Sequence, residues 1–268
     1  MQEDAKLRPR DETCAGSGGP LGLLVGLVGL VGLVGVVVVG LVGAAAVRAP
    51  APRTVVPIAM DDAEAATFFA GKWYVQWQTE TRYLKPDYNA RVVAEYAPQP
   101  PSWLGYTVAV RNEARNAAGA VRRSDASWLG ALGALGAQRH PESGGLAKFV
   151  VAPQFVPRWL AGDYWVIARG ACGGTEFAVV CGGQPTIPDG LDPRGDPPAA
   201  GDRAYTYDTD ATNNSGLWVF TRSRDPPDVG AVYARACAAI RANGISLRGL
   251  RRVDQSLGPE EASGLALE

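Results

Sequence analysis

Gly71-Lys72-Trp73-Tyr74-Val75-Gln76-Trp77-Gln78-Thr79 opens the folded part of this chain, and Leu217-Trp218-Val219-Phe220-Thr221-Arg222 closes it. In the first stretch Trp73, Val75, Trp77 and Thr79 are mainly apolar, and Lys72, Gln76 and Gln78 between them are polar. That two-residue period predicts a strand with one face on a core. The second stretch is apolar on both faces from Leu217 to Thr221, so it needs a core on one side and cover on the other. The cover follows at once. Asp225-Pro226-Pro227-Asp228 opens a helix with proline in its first turn. Val229, Val232, Tyr233, Ala236 and Ile240 then recur at helical spacing, and Asn243-Gly244 ends it.

Between the two stretches lie further period-two segments separated by turn residues: Arg91 to Tyr96, Tyr106 to Asn112, Ala147 to Pro153, Tyr164 to Arg169, Glu176 to Cys181, and a weaker one from Val121 to Leu129. About eight short strands followed by one long helix is the pattern of an all-β barrel or sandwich with a C-terminal helix. A short helix is expected from Asp61 to Ala70, with Asp61 or Asp62 as N-cap and Phe68-Phe69 packing beneath it.

The 268 residues carry a net charge of −1, with no basic footprint for nucleic acid. Of the 47% hydrophobic residues, a large share sits in the block Leu21 to Val47, made only of Leu, Val, Gly and Ala. As a helix it would span roughly 40 Å, against the ~30 Å of a bilayer's hydrocarbon core. It reads as a transmembrane signal-anchor, or as a cleaved signal segment with Ala44-Ala45-Ala46 at its end. Lys6, Arg8 and Arg10 before it, against Arg48 and Arg53 after it, favour a cytosolic N-terminus and a lumenal or extracellular domain. In that compartment Asn213-Asn214-Ser215 is a candidate glycosylation site at Asn213. The chain thus divides into a polar tail (1–20), the apolar segment (21–47), a Pro/Ala-rich linker (48–60), a folded domain (61–256) and a C-terminal tail (257–268). A Pro/Gly/Asp-rich insertion at 182–215 reads as a lid or a solvated loop.

Gly71-x-Trp73-Tyr74, the β-meander, Tyr164-Trp165-Val166-Ile167, Leu217 to Arg222 and the amphipathic helix, in this order, resemble the lipocalins of the bacterial-type, apolipoprotein D and temperature-induced group. The resemblance covers roughly 61–256, ending on Val253-Asp254-Gln255-Ser256. It implies an all-β, eight-stranded antiparallel up-and-down barrel with a C-terminal helix. Gly71, Trp73 and Arg222 are its structural signature, the guanidinium lying over the indole at the closed end. The family's second block departs here: Arg169-Gly170-Ala171-Cys172 stands where relatives carry Thr-Asp-Tyr.

Such a barrel holds one small ligand. By alternation, the inward side chains are Val75, Trp77, Val92, Ala94, Tyr96, Tyr106, Val108, Val110, Tyr164, Val166, Trp218 and Phe220. This apolar set with a few phenols suits a fatty acid, lysophospholipid, sterol or carotenoid. The expected partners are therefore a small hydrophobic ligand and a membrane. Neither a catalytic residue, a cofactor nor a metal site is read. His140, the only histidine, sits in His140-Pro141-Glu142 with no Ser/His/Asp arrangement, and Cys14, Cys172, Cys181 and Cys237 form no Cys-x-x-Cys. The aspartates Asp189, Asp192, Asp196, Asp202, Asp208 and Asp210 read as a solvated acidic loop. Two alternatives stand beside the carrier: a lipocalin-fold enzyme acting on a carotenoid or lipid, and an interaction module whose barrel is filled by its own side chains.

Overall fold

A computed structural model describes residues 53–84, 86–124, 134–189, 204–211 and 213–256. The polar tail, the apolar segment 21–47, the tail 257–268, Cys14, Asp192, Asp196 and Asp202 lie outside the described residues. Among those described, no helix is long and apolar enough to cross a membrane.

In chain order the elements are α1 (Asp62–Phe68), β1 (Gly71–Gln78), β2 (Ala90–Pro98), β3 (Val108–Arg115), β4 (Val121–Arg123), β5 (Leu135–Arg139), β6 (Lys148–Pro153), β7 (Gly162–Cys172), β8 (Thr175–Cys181), β9 (Ile187–Pro188), β10 (Tyr205–Thr206), β11 (Leu217–Thr221), α2 (Val229–Ala242) and β12 (Arg251–Arg252). Pairing runs β1-β2-β3-β5-β6-β7-β8-β11, and β11 pairs back onto β1, all antiparallel. The sheet is therefore an eight-stranded up-and-down barrel without a free edge. β4 pairs with Glu113–Arg115 and β5 with Val108–Val110, so the two share one strand position. Sequence reading finds β4 and misses β5: Leu135-Gly136-Ala137-Gln138-Arg139 is rich in weak strand formers, and only its neighbours hold it extended.

Two cores form on opposite sides of the barrel wall. The inner one gathers the inward faces with Phe68 and Phe69. The outer one packs Val232, Ala236 and Ile240 of α2 on Leu217, Val219, Val179 and Ile167. β11 feeds both, which explains its apolar character on each face. Asp61 caps α1 reciprocally: its carboxylate accepts from Glu64 N at 2.8 Å, and Glu64 Oε2 accepts from Asp61 N at 2.9 Å.

Both ends of the described chain are stitched into the wall. Ile58 N donates to Val166 O and Ala147 N to Ile58 O, so this strap lies between the diverging ends of β6 and β7. The C-terminal segment does the same between β1 and β2. Arg251 and Arg252 pair with Gln78 and Trp77, while Asp254 N donates to Asn89 O and Arg91 N to Asp254 O. Arg91, at φ 48, kinks β2 where this wedge enters.

The flanks of the 182–215 insertion are anchored beside the exit of α2. β9 pairs with β10, Tyr205 N donates to Gly244 O, and Ser246 N donates to Tyr205 O. Asp189 is buried there, accepting from the Ser246 hydroxyl and from Arg248 Nη1 at 3.1 Å. It is thus a structural ion-pair residue and not part of a solvated acidic loop; Asp208 and Asp210 are exposed.

Candidate ligand-binding site

The base of the barrel is built around Trp73, which is 1% exposed. Its indole Nε1 donates to Phe68 O at 2.9 Å, tying β1 to the C-terminus of α1. The Arg222 guanidinium lies 3.9 Å from the indole centroid. It also donates to Thr67 O (2.9 Å), Phe68 O (3.1 Å), Ala70 O (2.7 Å) and Lys72 O (3.2 Å). One fork therefore satisfies carbonyls that a helix end leaves without partners, and favours the negative end of its dipole. Glu176 Oε2 faces Arg222 Nε at 3.4 Å, and Arg169 pairs with the same carboxylate. Burial pulls the Arg222 pKa down, and Glu176 opposes that shift.

A closed eight-stranded meander, with this cation–indole lock at its base and a helix behind its last strand, decides the fold. The fold is that of a lipocalin.

No protein-family model and no curated protein matches the sequence. Among solved structures, the chain is similar to lobster apocrustacyanin A1, at 14% identity over 79% of this chain and 97% of that one, TM-score 0.41. It is similar to insecticyanin from the tobacco hornworm Manduca sexta, at 12% identity over 79% and 88%, TM-score 0.44. It is also similar to the cockroach allergen Per a 4, at 14% identity over 78% and 97%, TM-score 0.44.

Above its base the lipocalin barrel is lined in two parts. Next to α1 stands an aromatic cluster: Phe69 lies 4.6 Å from Phe149, 5.2 Å from Tyr96 and 6.0 Å from Tyr164, between ring centroids. The Tyr96 and Tyr164 hydroxyls share one hydrogen bond at 2.8 Å. Burial raises both phenol pKa values, so both stay protonated. The rest of the inner core is aliphatic and small: Val75, Val92, Ala94, Val108, Val110, Ala114, Ala137, Val166, Ala178 and Val180. Trp218, Leu84 and Tyr88 pack partly buried against it, and Phe220 lies deeper along β11. Trp218 belongs to the mouth, since β11 starts there at Leu217 and ends beside the base at Thr221.

Two of the residues expected inside are elsewhere. Trp77 belongs to the outer core. In β1, Val75 pairs with Phe220 but Trp77 pairs with Val219, so Gln76 is an extra residue and every side chain after it changes face. Gln76 is fixed by Nε2 donating to Thr221 Oγ1 at 2.9 Å and to Arg224 O at 2.9 Å. Trp77 then stacks 4.8 Å from Tyr233 of α2. Tyr106 also lies outside. Gly136 points away from the core between Leu135 and Ala137, and a Cβ there would meet Tyr106 Cβ at 2.8 Å. The phenol crosses that glycine and donates to Val156 O at 2.7 Å. The other ten expected residues, Val75, Val92, Ala94, Tyr96, Val108, Val110, Tyr164, Val166, Trp218 and Phe220, face the interior.

Sequence reading misses Phe69, Phe149, Ala137, Ala178 and Val180 on the inner side. For Ala178 and Val180 the signal was present, in the alternation of β8. For Phe69 none was, because a residue following a helix enters a barrel only through the path of the chain. Gln78, opposite Trp218, is likewise turned inward by the bulge. Its Nε2 donates to Asn89 Oδ1 at 3.1 Å. Asn89 Nδ2 in turn donates to Arg252 O, which fixes the orientation of both amides. Gln78 Oε1 is left buried without a partner. Gln255 repeats this pattern: Nε2 donates to Val75 O and Val92 O at 2.7 and 2.9 Å, and Oε1 is buried and unpartnered.

Cys172, Cys181 and Cys237 are free and buried, and burial pushes the Cys181 thiol up to about 12. No group of three or more potential metal ligands occurs among the described residues. Asn213 is exposed, with Nδ2 donating to Leu160 O at 2.7 Å.

Proposed function

We propose that the barrel binds and carries one small apolar ligand, presented at a membrane by the N-terminal segment 21–47. What supports the binding reading is the inner wall: a sealed base, then small aliphatic side chains, then Trp218 and Gln78 toward the mouth. Burying an alkyl chain there contributes about 0.8 kcal/mol per methylene before the costs of binding. The unpartnered oxygens of Gln78 and Gln255 favour a ligand that donates a hydrogen bond, such as an alcohol or sterol, over one ending in a carboxylate. Ligand identity, the bacterial-type subgroup, anchoring and the lumenal or extracellular side belong to this proposal.

Native mass spectrometry of the full chain, followed by lipid extraction, tests it. Recovery of a stoichiometric apolar molecule, with displacement of a fluorescent fatty alcohol read through Trp218, is the expected result. An empty barrel and no probe binding would overturn it in favour of the filled-barrel module. One observation favours that second reading: the aromatic cluster of Phe69, Phe149, Tyr96 and Tyr164 already occupies the base.

A further inference from the structure

Tyr96 stands on β2 and Tyr164 on β7, and in the closed order of the barrel three strands separate β2 from β7 in either direction. The two side chains therefore start from opposite walls, yet their hydroxyl oxygens meet at 2.8 Å. The pair is a crossbar through the lumen and not a contact along one wall. Phe69 supports it from the α1 side, 5.2 and 6.0 Å from the two rings between centroids. Toward the mouth the lumen is different. Leu135 pairs with inward Val110, and Val151 with inward Ala137, so both face the interior. Both are only partly buried, so side chains do not fill the space above the crossbar.

The crossbar does not satisfy its own hydrogens. Each phenol brings one O–H. Either oxygen can be the donor, but only one hydrogen lies between the two. The second hydroxyl hydrogen has no acceptor among the described residues. Both side chains are withdrawn from water, Tyr96 being 3% and Tyr164 9% exposed. A donor held inside a barrel without a partner costs free energy until an acceptor reaches it. The bond already made also polarises the pair, so the spare O–H is a stronger donor than an isolated phenol.

The mouth presents the opposite deficit. Gln78, opposite Trp218 at the end of β1, is 5% exposed, and its Oε1 is an acceptor without a donor. The lumen thus holds an unmet donor at its floor and an unmet acceptor near its opening, with aliphatic side chains between them.

We infer that the Tyr96–Tyr164 crossbar is the floor of the ligand site and reads the leading end of the ligand through its spare O–H. The ligand class is then an apolar molecule with a polar group at each end: a carbonyl or ether oxygen at the floor and a hydroxyl toward Gln78. A fatty acid entering tail first leaves the floor donor unmet and sets a carboxylate against Gln78 Oε1. Entering head first, it carries a charge into an apolar lumen. A plain alkanol satisfies the mouth alone. The inference rests on the binding half of the proposed function and not on its membrane half.

The test uses the full chain and displacement of a fluorescent fatty alcohol by a long-chain 1-alkanol and by alkanols of the same length carrying one ketone, walked along the chain. One ketone position should bind about tenfold tighter than the parent alkanol. Its carbonyl stretch in the infrared should fall below the value in hexane, as a hydrogen-bonded ketone requires. Tyr96→Phe and Tyr164→Phe singly should keep the preference, because losing either phenol frees the hydrogen of the other. Tyr96→Phe/Tyr164→Phe together should abolish both the preference and the infrared shift. A purely structural role for the pair predicts no such split between single and double variants. If no ketone position gains over the parent alkanol, the spare hydrogen is spent on water and the inference falls while the carrier stands. Preference that survives in the double variant also overturns it. An unshifted carbonyl in the wild type does so without any variant having to fold. Failure of every alkanol to displace the probe sinks the carrier and the inference together.

Discussion

At the closed end a single guanidinium reaches the carbonyls of Thr67, Phe68, Ala70 and Lys72 and covers an indole. At the mouth, by contrast, Gln78 and Gln255 leave buried oxygens without partners, and Trp159 stands in solvent. The same eight strands carry both ends, so the difference comes from what the connections bring. The base receives α1, Phe69 and Arg222, whose groups complete one another. The mouth receives glycine- and proline-rich loops whose groups do not. A barrel can concentrate its stability at one end and leave polar groups unmet at the other.

The largest expected effect breaks the base. Phe69→Ala removes a ring in contact with Phe68, Phe149, Tyr96 and Tyr164. It should cost about 3–5 kcal/mol in urea unfolding. It should also deepen the interior, so that a longer alkyl probe gains affinity relative to a short one. A loss under 1 kcal/mol would show that the aromatic cluster does not carry the base. Arg222→Ala should follow at about 2–4 kcal/mol, from the lost cation–indole contact and the lost charge-assisted hydrogen bonds to the carbonyls. Arg222→Lys should recover only part of it, because an ammonium cannot fork to four carbonyls. Full recovery by lysine would reduce the lock to simple charge.

On the outer wall, Gly136→Ala places a methyl against Tyr106 and should cost about 1–3 kcal/mol without changing probe affinity. An affinity change would put Tyr106 inside after all. At the mouth, Trp218→Phe should leave stability within about 1 kcal/mol of wild type and remove most of the fluorescence response to ligand. The smallest effect concerns pH. Burial raises the Asp163 carboxyl from its ordinary value of 3.8. The folded state therefore binds this proton more tightly than the unfolded chain. Its contribution is full below 3.8 and is lost as pH rises through the raised folded value. Urea midpoints measured from acid toward neutral pH should show that decline, and Asp163→Asn should flatten it. Identical slopes in both proteins would remove Asp163 from the pH dependence.

Local pattern carried most of the wall, though not where the chain breaks its own period. The alternation of β2 from Val92 and of β3 from Val108 reads correctly, since the kink of β2 at Arg91 precedes the positions that face inward. The Trp77 assignment failed because a period-two rule has no term for an extra residue. Gln76 is accommodated only once Thr221 and Arg224 are in place to hold its amide. Tyr106 failed differently: it precedes β3, and the loop carrying it folds over the outside of β5. β5 itself was invisible for lack of branched or aromatic side chains.

By its residues alone this chain specified a Trp73 strand, a doubly apolar last strand and an amphipathic helix to cover it, while the meeting of Arg222 with the indole was implied by the family resemblance. The first three follow from hydrophobic period and helix capping, which act over a few residues. Tertiary structure alone decided which face Trp77 and Tyr106 take, that Phe69 enters the barrel, and that two terminal segments fill the splayed seams. Each of these depends on contacts between positions far apart in sequence, where a bulge or the course of a loop outweighs local preference.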